Sequence, residues 1–359
     1  MAKLRLGVLG LGEGRSILSA ALASEMWELA HMCDLNEDLC RERAAEFRFD
    51  KYTTRMEEML ADTSIDVVAI YTPDMLHAAH IRACLDAGKH VICTKPLIDN
   101  LADAPALIDA QRRAKRHVFV GQSTRFFEPM IRQRADFDAG RHGELFSVEA
   151  HYHADHRWFL EKQWAKAGGL KWLYGGMSHP IDLIRWYFPD VVEVMGYGLL
   201  TENGRLAGLE HPDAMHFVMT TLSGKIARVS GCYSSPPGNH ARDSHMTCCL
   251  RGSRGTSHAD YYDLRYSTQF TGEGSVQYDM ANKEPYYFRF TGRSHHAGEY
   301  QNYIEYFARC LAEGVTPKPD LAEGVGTVAL MTAMEESLSR RAPVRVADVL
   351  DRHGLAATS

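Results

Sequence analysis

Two residues have the types and settings that proton chemistry on an alcohol requires. Lys95 follows the apolar run Lys89 to Cys93 and precedes Pro96. That puts an ammonium at the C-terminal tip of a strand, the end where ligands bind in open α/β sheets. Such a charge can stabilise a developing alkoxide or lower a hydroxyl's pKa; the plainer reading is a solvated loop lysine. His179 stands early in a helical stretch behind Gly175-Gly176. An imidazole titrates near neutral pH and can take a hydroxyl proton, or it can cap or pack the helix. Asp182 lies three residues on, one turn away on the same face, placed either to orient that ring or to pair with Arg185. Oxidising a secondary alcohol needs a base of this kind together with a cofactor that accepts hydride.

A second group suits polyol recognition. His153, Arg157 and Trp158 cluster around the exit of a period-2 stretch, and His296 is a weaker member. Aromatic faces pack on sugar C–H groups while polar tips bind hydroxyls. His151 and His153 share one strand face, and His156, His240, His245 and His295 enlarge the histidine pool. These spacings match no standard zinc pattern, so we expect no metal.

The nucleotide signal lies near the N-terminus. Gly10 and Gly12 sit where a strand turns into a helix, followed by Glu13, Gly14 and Arg15. Side chains at the glycines would keep a pyrophosphate away from the backbone and the helix N-terminus. The third glycine of G-x-G-x-x-G belongs at position 15, which is Arg15, so a plain tight turn stays open. Asp34 ends the second strand, 24 residues after Gly10. There a carboxylate can accept both ribose hydroxyls of NAD and repel a 2′-phosphate, or it can cap the next helix. We expect NAD rather than NADP, with Arg15 the residue that would tolerate NADP.

These residues need a scaffold. Apolar runs at 4–9, 27–33, 66–71, 89–93 and 118–121 alternate with helical stretches at 16–24, 37–47, 55–61, 101–115 and one ending at Ala87, which means a parallel, doubly wound sheet. Beyond about residue 124 the texture becomes period-2, at 146–153, 191–199, 216–222, 226–233 and 246–250. That predicts a mainly antiparallel sheet, with helices at 127–139, 176–188, 299–313 and 320–339. The expected organisation is a dinucleotide-binding Rossmann domain over 1–123. An α+β domain with a large open sheet covers 124–359, its last helices placed to pack back on the first.

With 359 residues, two domains are the default. The net charge of −6 and the lack of long like-charge runs argue against nucleic acid or an anionic membrane as main partner. No apolar stretch reaches membrane-helix length, and the N-terminus does not read as a signal peptide, so a cytoplasmic protein is expected. Eight cysteines without a C-x-x-C pair read as reduced thiols.

Several segments resemble the glucose–fructose oxidoreductase / inositol dehydrogenase / MocA (Gfo/Idh/MocA) family. Ala69-Ile70-Tyr71-Thr72-Pro73-Asp74-Met75-Leu76-His77 is similar to its A-x-x-T-P-x-x-x-H strand end. Ala87-Gly88-Lys89-His90-Val91-Ile92-Cys93-Thr94-Lys95-Pro96 resembles A-G-K-H-V-x-x-E-K-P, and Gly176 to Trp186 resembles G-x-H-x-x-D-L-x-R-W. The resemblance implies an NAD-dependent oxidoreductase of a sugar, glycoside or cyclitol that oligomerises, as a dimer or tetramer, through its open sheet. It implies that Lys95 and His179 face the nicotinamide and the reacting hydroxyl. Tyr71, Thr72, Pro73, His77, Thr94, Pro96 and Arg125 join the cofactor candidates. Two departures stand out: Thr94 replaces the glutamate of E-K-P, and Gly175 replaces an aspartate four residues before the histidine. They keep open a redox-neutral variant, in which transient oxidation drives cleavage of a glycoside. A nucleotide-binding sensor without catalysis is the third reading.

Overall fold

Leu4–Leu9 (β1) is apolar enough to be buried on both faces, and its last four residues are. In a computed structural model of the protein, which describes residues 3–162, 165, 171–236, 244–290 and 296–355, this strand lies inside a six-stranded parallel sheet. The other strands are Trp27–Cys33 (β2), Tyr52–Thr53 (β3), Val67–Ile70 (β4), His90–Thr94 (β5) and Val118–Gly121 (β6), in the order β3-β2-β1-β4-β5-β6. The helices between them are Arg15–Ala23 (α1), Glu37–Phe47 (α2), Met56–Ala61 (α3), His77–Asp86 (α4) and Ala104–Ala114 (α5). All five strand pairs are parallel. Uninterrupted apolar strands such as Val67–Ile70 are what a sheet covered on both sides selects. The order reverses between β1 and β4, and the loops leaving those strands flank the crevice that binds ligands in such folds. The expected element order lacked β3, whose two residues are too short to register as a period.

The chain forms two compact units. The first is Met1–Phe126 with Pro285–Val325, and the second is Phe127–Glu284 with Gly326–Ser359. The break after residue 123 thus falls three residues later, and the chain returns to the first unit near residue 285. The reason is packing by Gly298–Glu313 (α10). The Trp27 indole N–H donates to the Ile304 carbonyl at 3.0 Å, and Phe307 stacks on Trp27 with ring centroids 6.2 Å apart. Tyr303, Ile304 and Phe307 are buried in the same core as Leu6, Val8, Ile17 and Phe119. An amphipathic helix gains most of its stability from such burial.

The second unit is built on a nine-stranded sheet in the order β14-β13-β12-β11-β7-β10-β9-β8-β15. Its strands are Leu145–Ala154 (β7), Val191–Leu199 (β8), Ala214–Thr221 (β9), Ile226–Cys232 (β10), Ser244–Gly252 (β11), Gly255–Asp260 (β12), Arg265–Phe270 (β13), Ser275–Asp279 (β14) and Val344–Arg345 (β15). Every pair is antiparallel except β7 with β10. Glu128–Asp138 (α6) and Ser178–Tyr187 (α7) pack on one face. The remaining α-helices among the described residues are Glu202–Leu206 (α8), Glu284–Tyr287 (α9), Leu321–Arg340 (α11) and Val346–Arg352 (α12). The strict alternation of buried and exposed residues along β9 is the mark of a sheet covered on one side. No helix among the described residues is long and apolar enough to cross a membrane.

Candidate active site

In the first unit, β1 ends in a turn that tolerates no side chain at two places. Gly10 has φ +89°, and a Cβ there would lie 2.6 Å from the Tyr71 carbonyl oxygen. A Cβ on Gly14 would lie 2.1 Å from the Gly10 carbonyl oxygen. Gly14 therefore performs the close-packing role that the fingerprint assigns one residue later, which is why Arg15 can begin α1. A Cβ on Gly12 would meet no atom of the chain within 4 Å, so open space lies above the turn. The α1 N-terminus has no side-chain cap and no acidic residue in its first turn. Amides at such an end attract phosphate oxygens, so these residues fit a dinucleotide pyrophosphate.

Asp34 is tied to this turn. Its Oδ2 accepts from the Leu11 N–H at 2.8 Å and its Oδ1 from the Asn36 N–H at 2.9 Å. The cap of α2 is Asn36, whose Oδ1 accepts from the Asp38 and Leu39 N–H groups. Asp34 is therefore not the helix cap. Each of its oxygens keeps a lone pair, as hydrogen bonding to two ribose hydroxyls would need.

Lys95 follows β5 and shares its surroundings with two carboxylates that act on it electrostatically, Asp74 and Glu13. Burial lowers the Lys95 pKa, and those carboxylates oppose the shift. Burial also raises the Asp74 pKa, against the pull of His77 and Lys95. A half-buried lysine with a depressed pKa is better matched to proton transfer near neutrality than a solvated one. Asp74 was not among the expected site residues; its place directly after Thr72-Pro73 was the available signal.

Other cofactor candidates have structural partners. His77 is fully buried, its Nδ1 2.8 Å from the Pro96 carbonyl oxygen and its Nε2 2.9 Å from that of Thr72. It ties the loop after β4 to the loop after β5 instead of presenting a free ring. The Tyr71 side chain points into the core, where its hydroxyl pairs with that of Tyr303. Thr72 Oγ1 lies 2.9 Å from His80 Nδ1. Arg125 is buried on a 3-10 turn and pairs with Glu323 at 3.2 Å. Thr94 is the last residue of β5, next to the cis Lys95–Pro96 peptide. His296 also belongs to the first unit, with its Nδ1 bonded to the fully buried Glu299.

In the second unit, His179 is the second residue of α7, and the His179 ring lies 6.1 Å from that of Tyr152 on β7. Asp182, one turn on, is only 1% exposed. Behind Tyr152 lies a cluster of rings. Trp172 sits 5.2 Å from Tyr152, 5.6 Å from His156 and 4.9 Å from Tyr233. Gly176 is glycine because Trp172 covers it: a Cβ would meet that ring at 2.0 Å. Trp158 stacks on Phe159 at 4.1 Å. The Tyr233 hydroxyl and the indole nitrogens of Trp158 and Trp172 are buried without a hydrogen-bond partner. Buried donors without partners are uncommon. Arg157 is held by Asp155 through two bonds, at 2.7 and 2.6 Å.

The structure separates His153 from this group. Tyr152 faces α7, so the β7 alternation turns His151 and His153 to the opposite face. There His151 bonds Ser230 at 2.7 Å, and burial lowers the His153 pKa to about 4. His153 therefore does not stand beside His179. Trp172 and Tyr233, which do flank its neighbour Tyr152, were missed because they come from distant parts of the chain. His240 and His295 lie outside the described residues. No cluster among the described residues is arranged to hold a metal ion.

Comparison with known proteins identifies the scaffold. The chain is 24% identical over 400 residues to levoglucosan dehydrogenase of Pseudarthrobacter phenanthrenivorans, covering 97% of this chain and 100% of that protein. It is 29% identical over 200 residues to 1-carboxy-3-chloro-3,4-dihydroxycyclo hexa-1,5-diene dehydrogenase of Comamonas testosteroni. That second match spans 54% of this chain and only 50% of the relative. A solved levoglucosan dehydrogenase in complex with NADH and levoglucosan has the same fold, with a TM-score of 0.81 at 21% identity over 96% of this chain and 99% of that one. Residues 4–122 match the family's NAD-binding Rossmann fold and residues 137–346 its C-terminal alpha/beta domain. The chain belongs to the Gfo/Idh/MocA family of NAD(P)-dependent oxidoreductases.

Proposed function

We propose that the chain is a cytoplasmic, NAD-dependent dehydrogenase acting on a secondary hydroxyl of a sugar, glycoside or cyclitol. The observation that carries this reading is the setting of Lys95: a half-buried ammonium at the tip of β5, under the influence of Asp74 and of Glu13 in the glycine turn. The names of the levoglucosan and dihydroxycyclohexadiene dehydrogenases support cyclic alcohols as the substrate class.

In this reading Gly10, Gly12 and Gly14 admit the pyrophosphate, and Asp34 holds the adenosine ribose. Thr72, Pro73, Thr94 and Pro96 line the nicotinamide side, with His77 fixing their loops. The chemistry NAD supplies when bound is hydride acceptance. Lys95 lowers the substrate hydroxyl's pKa and steadies the developing alkoxide, and His179 takes the proton. Asp182 orients His179. Arg157, Trp158 and His296 contact the rest of the substrate. The orphaned donors of Trp158, Trp172 and Tyr233 suit the oxygen-rich surface of a polyol.

The chain works as a homo-oligomer in this proposal. The sheet face away from α7 exposes Val218 (49%) and Ile226 (53%) beside the Arg228–Glu149–Arg251 ion cluster, an apolar and charged surface that a second copy can cover.

The test is a panel of sugars, glycosides and cyclitols incubated with NAD+, with NADH and released products both followed. Stoichiometric NADH and ketone from at least one cyclic alcohol is the expected result. Aglycone release without net NADH would replace it with the redox-neutral reaction. NAD+ binding without turnover across the panel would leave a sensor.

A further inference from the structure

The glycine turn is bordered by two arginines that a 2′-phosphate would attract, and both are held elsewhere. Arg15 opens α1, and its Nε and Nη2 lie 2.7 and 2.5 Å from Glu46 Oε1. Its guanidinium also lies 4.3 Å above the Phe290 ring. Arg43, on α2, donates from Nη1 to Glu46 Oε2 at 2.8 Å and to Glu42 at 2.7 Å, and from Nε to the Leu11 carbonyl at 3.2 Å. Glu46 thus bridges the two guanidiniums, one on each carboxylate oxygen. Leu11 is the residue between Gly10 and Gly12, and its N–H is the one that Asp34 accepts.

The charges decide the consequence. Two guanidiniums and four carboxylates, Glu13 of the turn itself with Asp34, Glu42 and Glu46, surround this corner, so it carries excess negative charge. A 2′-hydroxyl meets no penalty there, whereas a dianionic 2′-phosphate meets like charge and finds both cations engaged. The Arg15–Glu46 pair is about three-quarters buried, with side chains 25% and 24% exposed. It is therefore less weakened by solvent than a pair on the open surface.

We propose that Glu46 is a cofactor-selectivity residue, which excludes NADP by keeping Arg15 and Arg43 from the 2′ position. The inference rests on the reading that Asp34 holds the adenosine ribose. A merely structural Glu46, which shapes the turn through Arg43 and the Leu11 carbonyl, would affect both cofactors alike.

The experiment is direct titration of NAD+ and NADP+ into the full-length protein by calorimetry, with melting curves as a folding check. Glu46→Gln should lower the ratio Kd(NADP+)/Kd(NAD+) by about tenfold, with NAD+ affinity changed by less than about threefold. Adding Arg15→Ala to Glu46→Gln should return most of that gain. An unchanged ratio, or equal weakening of both cofactors, overturns the proposal. If Glu46→Gln does not fold, Arg15→Ala alone still decides: it should leave the ratio within about twofold. A ratio raised further would mean that Arg15 already serves the 2′-phosphate, and would overturn the proposal too. Asp34→Ser tests the underlying reading separately. If it leaves NAD+ affinity intact, the ribose assignment fails whatever Glu46 does.

Discussion

The glycine corner of the first unit and the ring cluster of the second are built on opposite principles. At the corner, the polar groups that shape the turn are matched. Leu11 is held by Asp34 through its N–H and by Arg43 through its carbonyl, and Asn36 caps the helix that carries Arg43. Around Trp172 the contacts are ring against ring, and three polar atoms have no partner. A corner with its bonds already made is preorganised for one ligand and needs little rearrangement to take it. A cluster with donors left over is stabilised by area and completed by whatever brings acceptors to it. The contrast is between a turn whose polar groups are matched within the chain and a ring cluster whose buried donors are not.

The comparison can be broken by experiment. The largest effect is expected at Lys95. Lys95→Met should cut turnover about 10²–10³-fold with the fold retained; turnover near wild type in a steady-state assay would remove the mechanism. Gly12→Ala tests the corner next. Its Cβ meets no atom of the chain, so the melting temperature should hold, while the space above the turn is lost to the ligand. NAD+ affinity should fall by about tenfold or more, corresponding to about 1–3 kcal/mol of overpacking, measured by titration. A variant that melts early but binds normally would contradict the open-space reading.

Tyr233→Phe sharpens the other half. Removing a buried hydroxyl that has no partner should stabilise the free protein by about 1 kcal/mol in urea unfolding. The same change should raise KM for the substrate. Destabilisation of the free protein would mean that the hydroxyl is satisfied after all.

The smallest effect belongs to a polar pair of the second unit that is fully matched and serves as a control. His245 Nε2 lies 3.0 Å from Asp260 Oδ2, and that hydrogen bond raises the His245 pKa above 6.5. A raised folded-state value means that the pair stabilises fully below about pH 6.5 and loses this contribution as pH climbs through the folded value. His245→Gln should therefore cost about 0.5 kcal/mol at pH 6 and little at pH 9, read as urea midpoints. An equal cost at both pH values would assign the effect to packing.

Much of the first unit was legible because its signals are local. The strand β1, the glycine turn and Asp34 are successive pieces of one β-α-β unit, and the spacing of small and acidic residues reports on the turn between them. The strands β8 and β10 were likewise readable from period-2 patterning, whereas β12 to β14 had not been separated as strands. The parity of His151 and His153 was readable as well. Which side of β7 the helix α7 would cover was not, so His153 could not be told from a partner of His179.

Residue types and short-range periodicity determined the two-part α/β architecture and the glycine turn, because helices and strands are set by neighbours within a few positions, while Lys95 and His179 were singled out with the help of the family's motifs. Tertiary structure alone decided that α10 returns to the first unit and that Glu46 holds Arg15 across 31 positions. Each of these depends on atoms brought together by packing, and no periodicity in a chain encodes which distant side chain will fill a given space.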